Sequence, residues 1–270
     1  MAGEFPGGLN LFVKPRLAVA VAPLAFIGCL LMLAYFSPRH YTLFVIEDGL
    51  VEYATALAYL GAAFLAVLSA RRHFCAGANR YGIVLLTFAG ALFFVAMEEI
   101  SWGQRLIGFD TPAVIAMHNE QGELTLHNLR GFQQSLLHPA YILVGFAGSL
   151  GPLLIPAVIK DKLPGFWQSI LPRPQFFFYF FPTFAFYLAN EVIYPYTQNQ
   201  LLDWLRNLFG RSGYGYDGGV AWMHQEPVEF ILSVGFLLVT YECFLFVRRM
   251  HSHSGAENGT TPAPRCGQIG

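Results

Sequence analysis

Two adjacent carboxylates, Glu98 and Glu99, end a long apolar run that extends from Tyr81 to Met97. Carboxylates at the rim of a bilayer repel each other and are costly to dehydrate, so each must be solvated, paired, protonated or bound to a cation. Neighbours on a helix point about 100° apart, so the two acids are expected to take different partners. One could act as an acid and the other as a base, while Arg105 could hold an anionic headgroup or a phosphate.

Further acids and imidazoles lie near the ends of other predicted helices, all towards one membrane face. A carboxylate at mid-depth costs roughly 3 kcal/mol on insertion scales and less near the rim, which favours a functional role for those in apolar surroundings. The alternative is that they are ordinary end charges, which are common where a helix meets the interface. The predicted catalytic residues are Glu98, Glu99, Arg105 and His127, and the predicted metal ligands are Glu52, Glu99, Glu191, His224 and Glu229.

Carboxylates and imidazoles without thiols suit a divalent metal such as zinc, iron or manganese. No HExxH motif occurs, so a metal is compatible with the residue types but has no spaced motif behind it. The metal-free alternative is acid and base catalysis by the carboxylates. The four cysteines form no CxxC pair, and neither a structural disulfide nor a thiolate metal site is expected.

Composition indicates an all-α integral membrane protein. Charged residues make up 12% of the chain, whereas soluble domains carry about 25%, and the mean hydropathy is +0.46. A net charge of -1 leaves no electrostatic footprint for nucleic acid. Each of six apolar segments approaches the roughly 20 residues that a bilayer requires. The predicted spans are Leu17 to Phe36, Asp48 to Ala70, Tyr81 to Met97, Pro139 to Ile159, Phe176 to Ile193 and Pro227 to Val247.

The distribution of basic residues predicts that both termini are cytoplasmic. With this orientation, eleven of the sixteen Lys and Arg residues lie in cytoplasmic segments. The acids described above then face outside, which is the periplasm if the membrane is a bacterial inner membrane. Residues 1–250 form one membrane domain, and residues 251–270 are expected to be a disordered cytoplasmic tail because they are polar and rich in Pro and Gly.

Two long extracytoplasmic loops are expected to contain short helices that lie in the interface and cover the outer ends of the spans. The first loop has Thr111-Pro112, which is typical of a helix start, and a helix-like pattern from Leu124 to Leu137. The second has an amphipathic stretch from Gln200 to Phe209, and a Gly-rich lid follows it.

These features predict a membrane enzyme of the hydrolase or transferase type that acts on a lipid or lipid-linked substrate at the outer leaflet. One alternative is a proton- or cation-coupled transporter, although no acid lies at mid-bilayer and no broken-helix repeat is evident. Another is a non-catalytic subunit of a membrane complex. An enzyme requires convergent acids and a lateral opening, whereas a transporter requires a path to the cytoplasmic face.

Overall fold

The computed structural model describes residues 17–46, 49–119, 122–129, 131–154, 165–193 and 225–257. Most of these residues are helical, and no strand occurs among them. The longer helices are α1 (Leu17–Phe36), α3 (Leu50–Cys75), α4 (Asn79–Glu99), α7 (His138–Ser149), α9 (Phe177–Tyr187) and α10 (Gln225–Glu257). The shorter ones are α2 (Pro38–Val45), α5 (Gln104–Ile107), α6 (Ala113–Ala116) and α8 (Gly165–Ile170).

Five helical segments among the described residues are long and apolar enough to cross a membrane, which indicates a membrane location. They are Leu17–Phe36, Pro38–Cys75, Asn79–Glu99, Ser135–Leu154 and Gln225–Met250. The predicted fifth span is helical but irregular: a 3-10 turn precedes α9, and a π-helical turn, Leu188–Ile193, follows it. This segment is not one of the five, so a bundle of six spans remains a prediction.

The helices pack in a row in which each contacts the next. α4 packs against α3, α3 against α10, α10 against α9, and α9 against α7. Small residues of α3, such as Ala62 and Ala63, let α4 approach closely, which is typical of helix pairs in membranes. The α9–α10 contact is mostly aromatic and branched aliphatic, with Phe180 and Leu232 at its centre.

The sequence and the structure differ in three places outside the spans. α10 continues to Glu257, seven residues into the segment expected to be a disordered tail, and residues 258–270 lie outside the described part. Cys75 is disulfide-bonded, contrary to expectation, and its partner is neither Cys29 nor Cys243, because both are free thiols. A helix-like pattern was predicted from Leu124 to Leu137, but the described residues there are helical mainly in the π-helical turn Gln133–Leu137.

Candidate functional site

A cavity of about 630 Å³ lies at the end of the bundle where α3, α7 and α10 begin and α4 ends. We call this end the polar end. Its polar lining residues come from five helices and from the loop that follows α6, because the alternating helix directions bring those termini to one side. They are Glu52, Tyr59, Glu98, Glu99, His127, Asn128, His138, Tyr141, Tyr187, Gln225, Glu226 and Glu229.

Three of the cavity's carboxylates converge on one point. One oxygen from each of Glu99, Glu226 and Glu229 lies within 4.8 Å of the other two. Glu99 is the last residue of α4, whereas Glu226 and Glu229 are three residues apart on α10 and therefore share a helix face. Three carboxylates at this distance can all stay charged only if hydrogen-bond donors or a cation lie between them. Otherwise at least one of them keeps a proton. We call this set the carboxylate triad.

Two tyrosines hold one member of the carboxylate triad. Tyr187 donates a hydrogen bond to Oε1 of Glu229, and Tyr141 is a second hydrogen-bonding partner of that carboxylate. The rings of Tyr141 and Tyr187 are stacked, with centroids 4.7 Å apart and an interplanar angle of 14°. Glu229 is only 7% exposed, so these phenols replace the water that a buried carboxylate would otherwise need.

A buried imidazole extends this network towards α9. His138, the first residue of α7, is 1% exposed, and its Nδ1 lies 3.0 Å from Oε1 of Glu191. Its ring centroid is 5.0 Å from that of Tyr187. The distance from Nδ1 to the Glu191 oxygen is that of an ion pair, so the Glu191 carboxylate favours a protonated His138 imidazole. His138 also lines the cavity.

The structure places Glu191 beside His138. The sequence prediction grouped Glu191 with Glu99 and Glu229 as metal ligands. In the structure, Glu191 is not one of the described residues that line the cavity, and its carboxylate contacts His138. The sequence places Glu191 near the end of its helical segment, but it cannot show which way the irregular π-helical turn directs the side chain.

Glu98 points away from the carboxylate triad and binds the loop after α6. Its Oε1 accepts a hydrogen bond from Nε1 of Trp102 at 2.6 Å. Its Oε2 accepts bonds from the backbone nitrogens of Leu126 at 2.6 Å and His127 at 3.1 Å. Nδ1 of His127 lies 3.4 Å from the same oxygen. The expectation that Glu98 and Glu99 take different partners is thus confirmed.

A left-handed turn directs the indole of Trp102 back towards Glu98. After α4 ends, Ser101, Trp102 and Gly103 have positive φ angles of 48°, 55° and 74°. Ser and Trp are strained in this conformation, at about 1–2 kcal/mol each, so surrounding contacts must maintain it. The Glu98–Trp102 bond is one such contact, and Phe94 packs edge-on against the indole at 5.6 Å.

Side-chain hydrogen bonds tie the loop to the segment that follows α4. Ser101 Oγ donates to Glu123 at 2.5 Å, and Gln104 Oε1 accepts from the backbone nitrogen of Leu124 at 2.9 Å. Glu123 is 8% exposed and is therefore a buried carboxylate within this loop. The loop therefore carries His127 into the cavity on a fixed backbone.

Most of the predicted site residues line the cavity, and the side chains of two others are not described by the structure. Glu52, Glu98, Glu99, His127 and Glu229 all line the cavity. Arg105 lies in α5, but its side chain, like His224 and the amphipathic stretch from 200 to 209, falls outside what the structure describes.

Sequence reasoning missed seven of the polar lining residues, and those that the site depends on most are Glu226, His138, Tyr141 and Tyr187. The three-residue spacing of Glu226 and Glu229 was a usable signal, because it places both acids on one helix face. His138 precedes a proline at the start of α7, and that pattern by itself indicates a helix start rather than a site residue. Nothing in the sequence distinguished these two tyrosines from the others.

The fold and the site thus define a helical membrane protein with an acidic, histidine-containing cavity at one end of its bundle. No protein-family model, curated protein or solved structure matches the chain. Function must therefore be inferred from the residues and their geometry alone.

Proposed function

We propose that the protein is an integral membrane enzyme of the hydrolase or transferase type that acts on a lipid or lipid-linked substrate. The observation that carries the proposal is the cavity, which combines convergent carboxylates, two imidazoles and three phenols with an apolar lining. Concave sites that are mostly apolar, with a few converging polar groups, are the usual form of a substrate site.

The carboxylate triad supports two versions of the chemistry. It could hold a divalent cation such as zinc, iron or manganese, which would polarise a substrate oxygen or activate water. Without a metal, one carboxylate could keep a proton because its neighbours are charged, and could act as an acid beside a basic neighbour. In both versions His127 and His138 are the proton carriers, since the carboxylates of Glu98 and Glu191 contact them.

The opposite end of the bundle favours an enzyme over a transporter. A packed cluster occupies that end, and its members are at most 2% exposed: Ala70, Leu85, Phe166, Cys243 and Val247. A transporter needs a path from the acidic site to the other face, and this cluster stands in the way of such a path. The proposal includes six spans, cytoplasmic termini and a site that faces the periplasm of a bacterial inner membrane, on the basis of the basic-residue bias.

Metal analysis separates the two versions of the chemistry. The purified protein and the variants Glu99→Gln, Glu226→Gln and Glu191→Gln are analysed for bound zinc, iron and manganese. A metal site predicts stoichiometric metal in the wild type, loss in the first two variants, and retention in Glu191→Gln because that side chain contacts His138 rather than the triad. Protein that stays metal-free after incubation with each ion supports the acid and base version.

Activity is tested by incubating the protein in vesicles made from a total bacterial lipid extract, followed by mass spectrometry of the lipids. We expect one lipid class to be converted by the wild type and by Asp110→Asn, a variant at an exposed loop position. Glu99→Gln and Glu229→Gln should abolish the conversion. The proposal is wrong if no lipid changes, or if the triad variants convert lipid as fast as the wild type.

A further inference from the structure

The cavity lies between α4 and α7, which are the two ends of the row of packed helices. α4 and α7 both line it, yet their described residues do not pack closely against each other. α3, α10 and α9 form the back wall, since each packs against its neighbour and contributes lining residues. In the described part of the chain, the space between α4 and α7 is therefore a crevice between two helices that do not pack together.

The side chains that border the crevice are apolar. They line the cavity and are also exposed on the outer surface of the bundle. Phe94 of α4 is 41% exposed and Leu136, just before α7, is 56% exposed, and both line the cavity. Ala91 and Ala140 are likewise exposed lining residues, and their small side chains leave the passage open. A hydrocarbon chain can cross such a border without leaving an apolar environment.

The cavity continues from the carboxylate triad deep into the bundle. Its lining includes Phe88, eleven residues before Glu99 on α4, which corresponds to a depth of about 16 Å. Leu92, Val144 and Phe236 surround the same region. These residues are apolar and extend about 16 Å from the triad along α4, so this part of the cavity fits one aliphatic chain with its head at the triad.

The charge of the cavity lining determines which kind of ligand head group can bind there. Five carboxylates and two histidines face the cavity, and none of its described lining residues is Lys or Arg. A divalent ion together with two protonated imidazoles would still leave the negative charges in excess. An anionic head would meet repulsion there, whereas a protonated amine would be attracted and could donate hydrogen bonds to the carboxylates.

We propose that the cavity binds a single-chain amphiphile with a protonated amine head, which enters from the bilayer between α4 and α7. The amine lies at the carboxylate triad and the chain lies along Phe88, Leu92 and Val144. This inference deepens and rests on the proposed function, because it names the substrate class of the same cavity. It differs from the earlier expectation that a phosphate would be held by Arg105.

The test is photolabelling of the full-length protein in phosphatidylcholine nanodiscs. The probe is an alkylamine with a diazirine in its chain, and hexadecylamine, hexadecanol and hexadecanoate are the competitors. We expect labelled peptides from α4 and α7, and competition by the amine at a concentration about tenfold lower than for the carboxylate. Equal competition by amine and carboxylate, or labels spread over all lipid-facing helices, would overturn the inference.

Two variant pairs test the passage and the head separately. Ala140→Trp fills the crevice and should reduce labelling, whereas Leu143→Trp, at a position that is 66% exposed but not lining, should not. Glu226→Gln and Glu52→Gln should each reduce the preference for amine over alcohol while labelling by an alcohol probe persists. Unchanged labelling in Ala140→Trp, or an unchanged preference in both Gln variants, would contradict the proposal.

The outcomes are distinguishable from those of the activity assay. Selective amine labelling without any lipid conversion would support this inference and reject the enzyme. Conversion of a phosphate-bearing lipid, with no preference for the amine, would support the enzyme and reject this inference.

Discussion

Removal of the Glu98 carboxylate should release the loop that carries His127. Glu98 is 6% exposed and accepts three hydrogen bonds, from the indole of Trp102 and from the backbone nitrogens of Leu126 and His127. Glu98→Ala leaves all three donors without their acceptor. Glu98→Gln keeps one oxygen and places an amide N–H where the second oxygen was, so it satisfies some donors and opposes others.

The size of the effect follows from these contacts. A buried donor left without a partner costs about 1–3 kcal/mol, and the low end applies because water can reach a relaxed loop. Three donors then give about 3 kcal/mol for Glu98→Ala. Since 1.4 kcal/mol corresponds to a factor of ten, local opening of the loop should become about 100-fold more frequent. Glu98→Gln should show a smaller increase.

Hydrogen exchange of the protein in nanodiscs measures this opening directly. Backbone amides between residues 122 and 129 should exchange faster in Glu98→Ala, while amides in the middle of α3 and α10 should keep their wild-type rates. Asp110→Asn is the matched control, because it also removes a carboxylate charge near this loop but at an exposed position. Wild-type exchange rates throughout residues 122–129 in Glu98→Ala would refute the anchoring role of Glu98.

Two further predictions concern packing and the buried network. A methyl group at Gly145 would lie 2.6 Å from the backbone nitrogen of Phe184, so Gly145→Ala should lower the Tm. Gly90 has open space around it, so Gly90→Ala should raise the Tm, because alanine favours a helix over glycine by up to about 1 kcal/mol. A Gly145→Ala protein as stable as the wild type would contradict the close α7–α9 contact. Tyr187→Phe removes a donor to the buried Glu229 carboxylate, at a cost of about 1.5–3 kcal/mol, and thermal unfolding in detergent should register it as a lower Tm. An unchanged Tm would mean that this hydrogen bond contributes nothing to the native state.

The sequence predicted most of the long apolar helices, because a bilayer imposes a length and an apolar composition on any helix that crosses it. α1 has the predicted bounds, and α4 was predicted to within two residues at each end. The irregular segment around α9 was the weak point. Pro182 lies inside α9 and a π-helical turn follows it, and neither its bend nor its side-chain directions can be derived from hydropathy.

The depth of each acid could also be predicted, because depth depends only on the position along a helix. The direction in which each side chain points could not be predicted. Glu98 and Glu99 are neighbours in the sequence, but one anchors a loop and the other joins the carboxylate triad. Glu191 lies at the expected depth, but its partner is His138.

The sequence by itself determined that the chain is helical, enters the membrane and concentrates acids at one end of its helices, because these properties follow from composition and from the 1.5 Å rise of a helix. Only the tertiary structure decided which acids meet, since that depends on how the helices are rotated against one another. It also decided that α4 and α7 leave a crevice between them, because this depends on which helices become neighbours, and no local pattern in the sequence encodes that choice.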